Sequence, residues 1–314
     1  MTFIGHPGRG PGISRFYATT DSGLYSSEDL ISFELVNPAI INKPIIFAAG
    51  SGVMAYVSGD TYFYSVDFGV SFSSTVINSG VTLSLATDGT NFVIFCGDGK
   101  IYKSADGVAF SYVTQKSVGA ATASISLSYA NGYWISYYRA NPSPTGIWYS
   151  TDMDNWSSNA GPFPTVGTYS YINPGSRVVW DGTKYLISGY DYVTGPVRAS
   201  IWLGSGSTPS SWGAKINVGP NISVGNSIAA SANLALIAGH INDATRIWYS
   251  TDHGASWTVH VPVVTGTGGA TVRLFSDIFY ISYNGKIYST TDGFTLTRVD
   301  AEAFTGVSAI ITTI

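Results

Sequence analysis

An all-β ring of seven four-stranded antiparallel blades, a β-propeller sealed by its own C-terminal strand, is the fold that this chain of 314 residues predicts. Three observations carry the expectation. One turn phrase recurs seven times, at intervals of 38 to 54 residues. A second hairpin signal precedes the clearest copies, so each unit holds four short strands. The closing stretch "GVSAIITTI" alternates like a first strand and has no unit of its own. A lone four-stranded sheet cannot bury both faces, and repetition at a period of about 40 residues stacks such sheets around a centre.

Composition points the same way. Only 11% of residues are charged, 14% are aromatic and 36 are Gly, which favours strands and tight turns over helices. The first unit opens with "SRFYATTD", which matches a second strand, so its first strand must come from the other end of the chain. Closing the ring in this way costs about 5 kcal/mol of chain entropy, which the added pairing must outweigh. The blades are expected at 10–36 with 303–314, then at 44–77, 80–117, 122–159, 175–219, 225–262 and 269–300, in one domain spanning 1–314.

Within a unit the first two strands are joined by Asp-Gly or Asn-Gly, clearest in "LATDGTNFVIF", "LSYANGYWISY" and "VVWDGTKYLIS". The third unit spells all four strands as "TLSLA", "NFVIF", "KIYKS" and "FSYVT". In "SISLSY" of the fourth, Ile125, Leu127 and Tyr129 alternate with serines, as a strand requires.

The recurring phrase joins the third strand to the fourth. It starts at Tyr25, Tyr64, Tyr102, Tyr149, Tyr249 and Tyr288, with a worn copy, "IWLGSGSTPSSW", in which Leu203 takes the Tyr place. Four copies put Gly five positions on (Gly69, Gly107, Gly254, Gly293) and Phe72, Phe110, Trp257 or Leu296 eight positions on. Such a turn needs an acid to accept backbone N–H groups, a Gly with positive φ, and an apolar side chain folded beneath. The acid is Asp67, Asp106, Asp152, Asp252 or Asp292, with Glu28, or its neighbour Asp29, in the first copy. These acids are expected to be structural.

"STDHGASW", Ser250 to Trp257, resembles the Asp-box or BNR repeat, Ser-x-Asp-x-Gly-x-x-Trp, and six of the seven units carry a form of it. The resemblance covers nearly the whole chain and implies the architecture of the sialidase-like superfamily, where the box is a structural turn at the blade periphery. Sialidase chemistry is not implied. Arg9 stands in "GRG" and Arg15 in "SRF", not in the Phe-Arg-Ile-Pro context of those enzymes, which usually have six blades. Seven-bladed Asp-box proteins also include xyloglucan-cleaving hydrolases and photosystem assembly factors, so the fold names no function.

A site is expected where loops lengthen. Connections between second and third strands share one face with the links between blades. They are minimal in "GDGK" and "NGK" but grow to "YRANPSPTG" (138–146), "GYDYVTGPVRAS" (189–200) and "GHINDAT" (239–245). The longest link, 159–175, falls between two of them. The sector offers Tyr138, Arg139, Asn141, Tyr169, Tyr171, Tyr190, Asp191, Tyr192, Arg198, His240, Asn242 and Asp243 as ligand contacts. Flat aromatics beside amides and carboxylates suit sugar rings. The same loops equally suit a neighbouring subunit.

Chemistry-bearing patterns are sparse. Asp191 and Asp243 lie on adjacent blades as a candidate glycosidase pair, yet with three Glu in the chain no catalysis is expected. His240 is expected to be solvated, and neither metal nor cofactor is implied. Asp152 and Asp154 lack the Gly and Glu of a calcium loop, and "GHPGRGPG" lacks the Gly-Lys-Ser/Thr of a phosphate loop. Cys96 in "NFVIFCGD" is expected to be a small buried thiol.

A net charge of −4 with 15 scattered Lys and Arg excludes a nucleic-acid footprint. No run approaches the ~18 apolar residues of a membrane span, so no membrane insertion is expected. The N-terminal stretch lacks the pattern of a signal peptide. With one Cys, little charge and abundant Tyr, Ser and Gly, the expectation is a propeller of a virion or phage tail, made in the host cytoplasm, that contacts a host surface glycan or other virion proteins. A glycoside hydrolase of sialidase-like architecture and an assembly factor are the alternatives.

Overall fold

The computed structural model describes residues 15–20, 22–29, 31–41, 43, 45–48, 51–116, 124–139, 146–159, 169–171, 177–192, 198–214, 216–218, 223–241, 244–260, 270–283, 286–299 and 309–312. Its strands form seven antiparallel sheets arranged as a seven-bladed β-propeller, with no helix among the described residues. Blade one holds β1 (Phe16–Thr20), β2 (Gly23–Ser27) and β3 (Glu34–Asn37). Blade two holds β4 (Ile46–Ala48), β5 (Val53–Ser58), β6 (Thr61–Ser65) and β7 (Ser73–Val76). Blade three holds β8 (Leu83–Thr87), β9 (Phe92–Cys96), β10 (Lys100–Ser104) and β11 (Ser111–Gln115). In blade four the order continues with β12 (Ser124–Ala130), β13 (Tyr133–Arg139), β14 (Gly146–Ser150) and β15 (Ser157–Asn159).

Blade five divides its inner strand into β16 (Tyr169–Tyr171) and β17 (Val178–Trp180), both paired with β18 (Tyr185–Tyr192), and adds β19 (Arg198–Leu203) and β20 (Ile216–Asn217). Blade six holds β21 (Ser223–Ala230), β22 (Ala235–Ile241), β23 (Ala244–Ser250) and β24 (Thr258–His260). Blade seven holds β25 (Thr271–Phe275), β26 (Ile278–Tyr283), β27 (Lys286–Thr290) and β28 (Thr297–Arg298). The last strand, β29 (Ala309–Thr312), runs antiparallel to β1 with Ile310 opposite Ala18, and becomes the inner strand of blade one. Head and tail of the chain therefore share one sheet.

Packing closes the same circle. Among the described residues the core falls into seven apolar clusters, one at each joint between consecutive blades. The joint between blades seven and one is built on Phe16, Tyr280 and Ile287, with the Phe16 ring 5.7 Å from Phe275 and 5.6 Å from Tyr280. Trp134, Trp202 and Trp248 are fully buried in blades four, five and six. Cys96 is also buried, and burial pushes its thiol up to about 12, which removes it as a nucleophile near neutral pH.

Each inner strand has a partner on one side only, so its other edge would leave backbone groups unpaired. Serine hydroxyls of the preceding blade fill part of that gap. Ser84 Oγ accepts from Leu127 N (2.9 Å), Ser128 Oγ from Val178 N (2.9 Å) and Ser227 Oγ from Val272 N (3.2 Å). The serines that alternate with apolar residues in the sequence are thus mortar between blades.

The turns between third and fourth strands share one bonding scheme. In blade six, Ser250 Oγ donates to Asp252 Oδ1 (2.8 Å) and accepts from Gly254 N (2.8 Å), while Ser256 N and Oγ donate to the two Asp252 oxygens (2.8 and 2.5 Å). Trp257 lies beneath and gives its indole N–H to Gly254 O (2.9 Å). Asp67, Asp106, Asp152 and Asp292 accept equivalent backbone N–H bonds. In blade one the structure corrects Glu28: Asp29 accepts from Ile31 N and Ser32 N (both 2.8 Å), whereas Glu28 pairs with Arg15 at 3.0 Å. The Ser27 hydroxyl, which also donates to Asp29, selects the residue two positions on.

These bonds hold the carboxylates well below their ordinary value. The Asn155 side-chain and backbone N–H bonds bring Asp152 down to about 2, and the Ser256 hydroxyl and N–H bring Asp252 to about 2. A depressed folded-state pKa gives stability that is complete above the ordinary 3.8 and is lost as pH falls toward 2. Urea midpoints are expected to stay level from pH 7 to 5 and to drop steeply below 4. In Asp252→Ala the loss at neutral pH is expected to be about 1–2 kcal/mol, at the modest end because the carboxylate is exposed, and the acid dependence should become shallower.

Candidate functional site

The ring presents two unlike faces. Hairpin turns within blades lie on one, and the longer connections on the other. Over blades four to six, much of what the sequence suggests as loop is strand. β13 runs through Arg139, β18 through Tyr192 and β22 through Ile241, while β19 starts at Arg198 and β23 at Ala244. Aromatic and β-branched residues continue the alternation past the expected ends, so pairing continues too. β18 has 8 residues against 5 in β9. The difference raises blade five by about 10 Å.

The supposed link 159–175 is corrected in the same way, since Tyr169–Tyr171 pairs with the raised end of β18. Tyr169 stands opposite Tyr192 and Tyr171 opposite Tyr190, which gives the four tyrosines register positions on one face of the sheet. Asp191 lies opposite Ser170 on one side and Arg198 on the other. The aromatic and the charged candidates of blade five therefore alternate along the ladder. Tyr138 and Arg139 sit opposite Ile125 and Ser124 at the raised end of blade four, and half-buried His240 sits opposite Val224 and Thr245 in blade six. Asn141, Asn242 and Asp243 lie outside the described residues, and the candidate Asp191–Asp243 pair with them.

A cavity of about 530 Å³ occupies the centre of the ring. It is lined by inner-strand residues of blades two to seven, including Thr87, Asn131, Trp180 and Phe275 at the ends of those strands nearest the hairpin turns. The cavity thus belongs to the hairpin face, away from the raised sector. Two arginines line it, Arg177 just before β17 and Arg273 in β25. Arg273 Nη1 donates to Ser227 Oγ (3.1 Å) and Val272 O (2.9 Å). Burial lowers both guanidinium pKa values, and the like charge of Arg177 lowers Arg273 further. Both remain cationic at neutral pH.

No protein-family model matches the chain, and no curated protein matches it by sequence. Solved structures do. The chain is similar to a structure from a mechanistic study of two prolyl endopeptidases at 12% identity and a TM-score of 0.58, over 91% of this chain and 48% of that one. Prolyl oligopeptidase B of Galerina marginata matches at 11% identity and a TM-score of 0.57, over 94% and 49%. YCF48 from Cyanidioschyzon merolae matches at 12% and 0.51, over 81% and 83%. The chain spans about half the length of the two peptidases it matches. At these identities the likeness is one of fold.

Neither cavity arginine stood out among the sequence candidates. The signal was present in "SRVVWDG", where a lone Arg leads into an apolar inner strand, and in "TVRLFSD", where one interrupts it. In a ring, such a strand borders the central channel, which gives a cation an aqueous space that a flat sandwich core lacks.

Proposed function

We propose that this chain is a non-catalytic binding propeller of an assembled particle, a virion or phage tail, whose raised sector over blades four to six contacts a host surface glycan. The observation that carries the reading is the register of blade five, where two cross-strand tyrosine pairs stand above the rim of the ring. Tyrosine faces stack on the C–H faces of sugars. Sparse charge and a Tyr-, Ser- and Gly-rich composition support an exposed, durable role, as does stacking of each blade on its neighbours. We count the capped turns as Asp-box turns that build the scaffold and take no part in binding.

The test is a glycan array probed with the full chain and with Tyr190→Ala/Tyr192→Ala. Saturable binding to a glycan class, weakened at least tenfold in the double variant at unchanged thermal stability, is expected. Release of reducing ends from a bound polysaccharide would replace the reading with a glycoside hydrolase. A tight protein partner without glycan binding would favour an assembly factor.

A further inference from the structure

We infer that the central cavity is a binding site for an oxyanion group, a phosphate, sulfate or carboxylate, gripped between Arg177 and Arg273. The cavity opens on the hairpin face, so this site is independent of the raised glycan sector.

Charge accounting carries the argument. Among the described residues neither arginine forms an ion pair. The carboxylate lining the same cavity, Asp88, is committed to its own turn: it accepts from Thr90 N (2.8 Å), Asn91 N (2.7 Å) and Asn91 Nδ2 (2.9 Å). Two cations confined by one ring of strands, neither ion-paired to a carboxylate among the described residues, oppose folding through desolvation and mutual repulsion. A bound oxyanion removes both penalties at once.

The donors are arranged for it. Arg273 is anchored through one nitrogen to Ser227 and Val272, which fixes the guanidinium while its other N–H groups stay available. Arg177 makes no hydrogen bond to the protein among the described residues and is half-buried at the cavity wall. Guanidinium forks match the planar or tetrahedral oxygens of such groups and bind them through paired N–H bonds. The apolar wall of Val178, Ile228 and Leu274 lowers the local dielectric and strengthens the attraction. Trp180, Phe275 and the partly exposed Tyr129 give a carbon body somewhere to lie. About 530 Å³ fits a small molecule that carries the anion.

The experiment titrates the full chain with inorganic phosphate, sulfate and malonate at constant ionic strength, with chloride as the control, by calorimetry and by tryptophan fluorescence. Saturable one-to-one binding of at least one oxyanion is expected, weakened tenfold or more in Arg177→Gln and in Arg273→Gln. Preference for phosphate points to a phosphate-bearing ligand, and preference for malonate to a carboxylate-bearing one. Thermal stability supplies a readout that a structural role would not give. Without oxyanion, Arg177→Gln should unfold at or above the temperature of the parent, because it relieves repulsion. At saturating oxyanion the parent should become the more stable of the two. Absence of binding, binding unchanged in Arg177→Gln, or a stability order that ignores the oxyanion would each overturn the inference.

Discussion

Removal of residues 309–314 is expected to abolish cooperative folding of the whole ring. β29 supplies the inner strand of blade one, pairing Ala309, Ile310, Ile311 and Thr312 with Thr19, Ala18, Tyr17 and Phe16. Without it, the inner edge of β1 is left without a strand, and the joint with blade seven keeps the small cluster around Phe16, Tyr280 and Ile287. Four lost cross-strand residue pairs, with their hydrogen bonds and the apolar surface of β1 that they cover, amount to about 5 kcal/mol or more, comparable with the stability of an ordinary domain. Circular dichroism should show a broad, early melt, and limited proteolysis should open the chain at blade one. A truncated chain that melts as sharply as the parent would mean that the ring does not depend on its terminal strand.

Gly254→Ala is expected to cost about 2–4 kcal/mol, well above the loss from removing the Asp252 carboxylate in the same turn. Two effects add. Gly254 holds φ at 77°, in the left-handed region that an L side chain resists. A Cβ there would also stand 2.7 Å from Leu203 Cδ2 and 2.9 Å from Leu186 Cδ2, both in blade five. The Gly is therefore a contact surface between blades as well as a turn residue. The urea midpoint should fall with little change in slope. If Gly254→Ala proves as mild as Asp252→Ala, the close approach of blades five and six is not as described.

The architecture was legible because each repeat writes its turn chemistry in a few residues. Acid, Gly and aromatic must stand at fixed offsets for the turn between third and fourth strands to close, so the sequence displays them. The same constraint explains the Glu28 error: two adjacent acids share that turn, and the Ser27 hydroxyl, not the charge, decides that Asp29 caps it. Loop boundaries over blades four to six were harder to read. Gly, Asp and Pro in "GYDYVTGPVRAS" look like loop residues, yet Tyr190, Asp191 and Tyr192 still have a neighbouring strand to pair with, and long-range pairing overrides local propensity. The cavity arginines were invisible for a related reason. Arg177 and Arg273 are about 100 residues apart, and nothing local to either shows that closure of the ring turns both toward one central space.

Both proposed sites are assigned to opposite faces of one closed ring, so the seal between β1 and β29 is the claim on which they rest. Paired cysteines test it directly, at Ala18→Cys with Ile310→Cys and, separately, at Thr19→Cys with Ala309→Cys. Neighbouring pairs alternate between wide and close spacing in an antiparallel ladder, so one of the two should suit a disulfide. Cys96 is buried and should not compete. Under mild oxidation, at least one variant is expected to form an intramolecular crosslink in nearly all molecules and to unfold at a higher temperature than its reduced form. Free thiols in both variants, with the ring otherwise folded, would contradict the closure and with it the division of the molecule into its two faces.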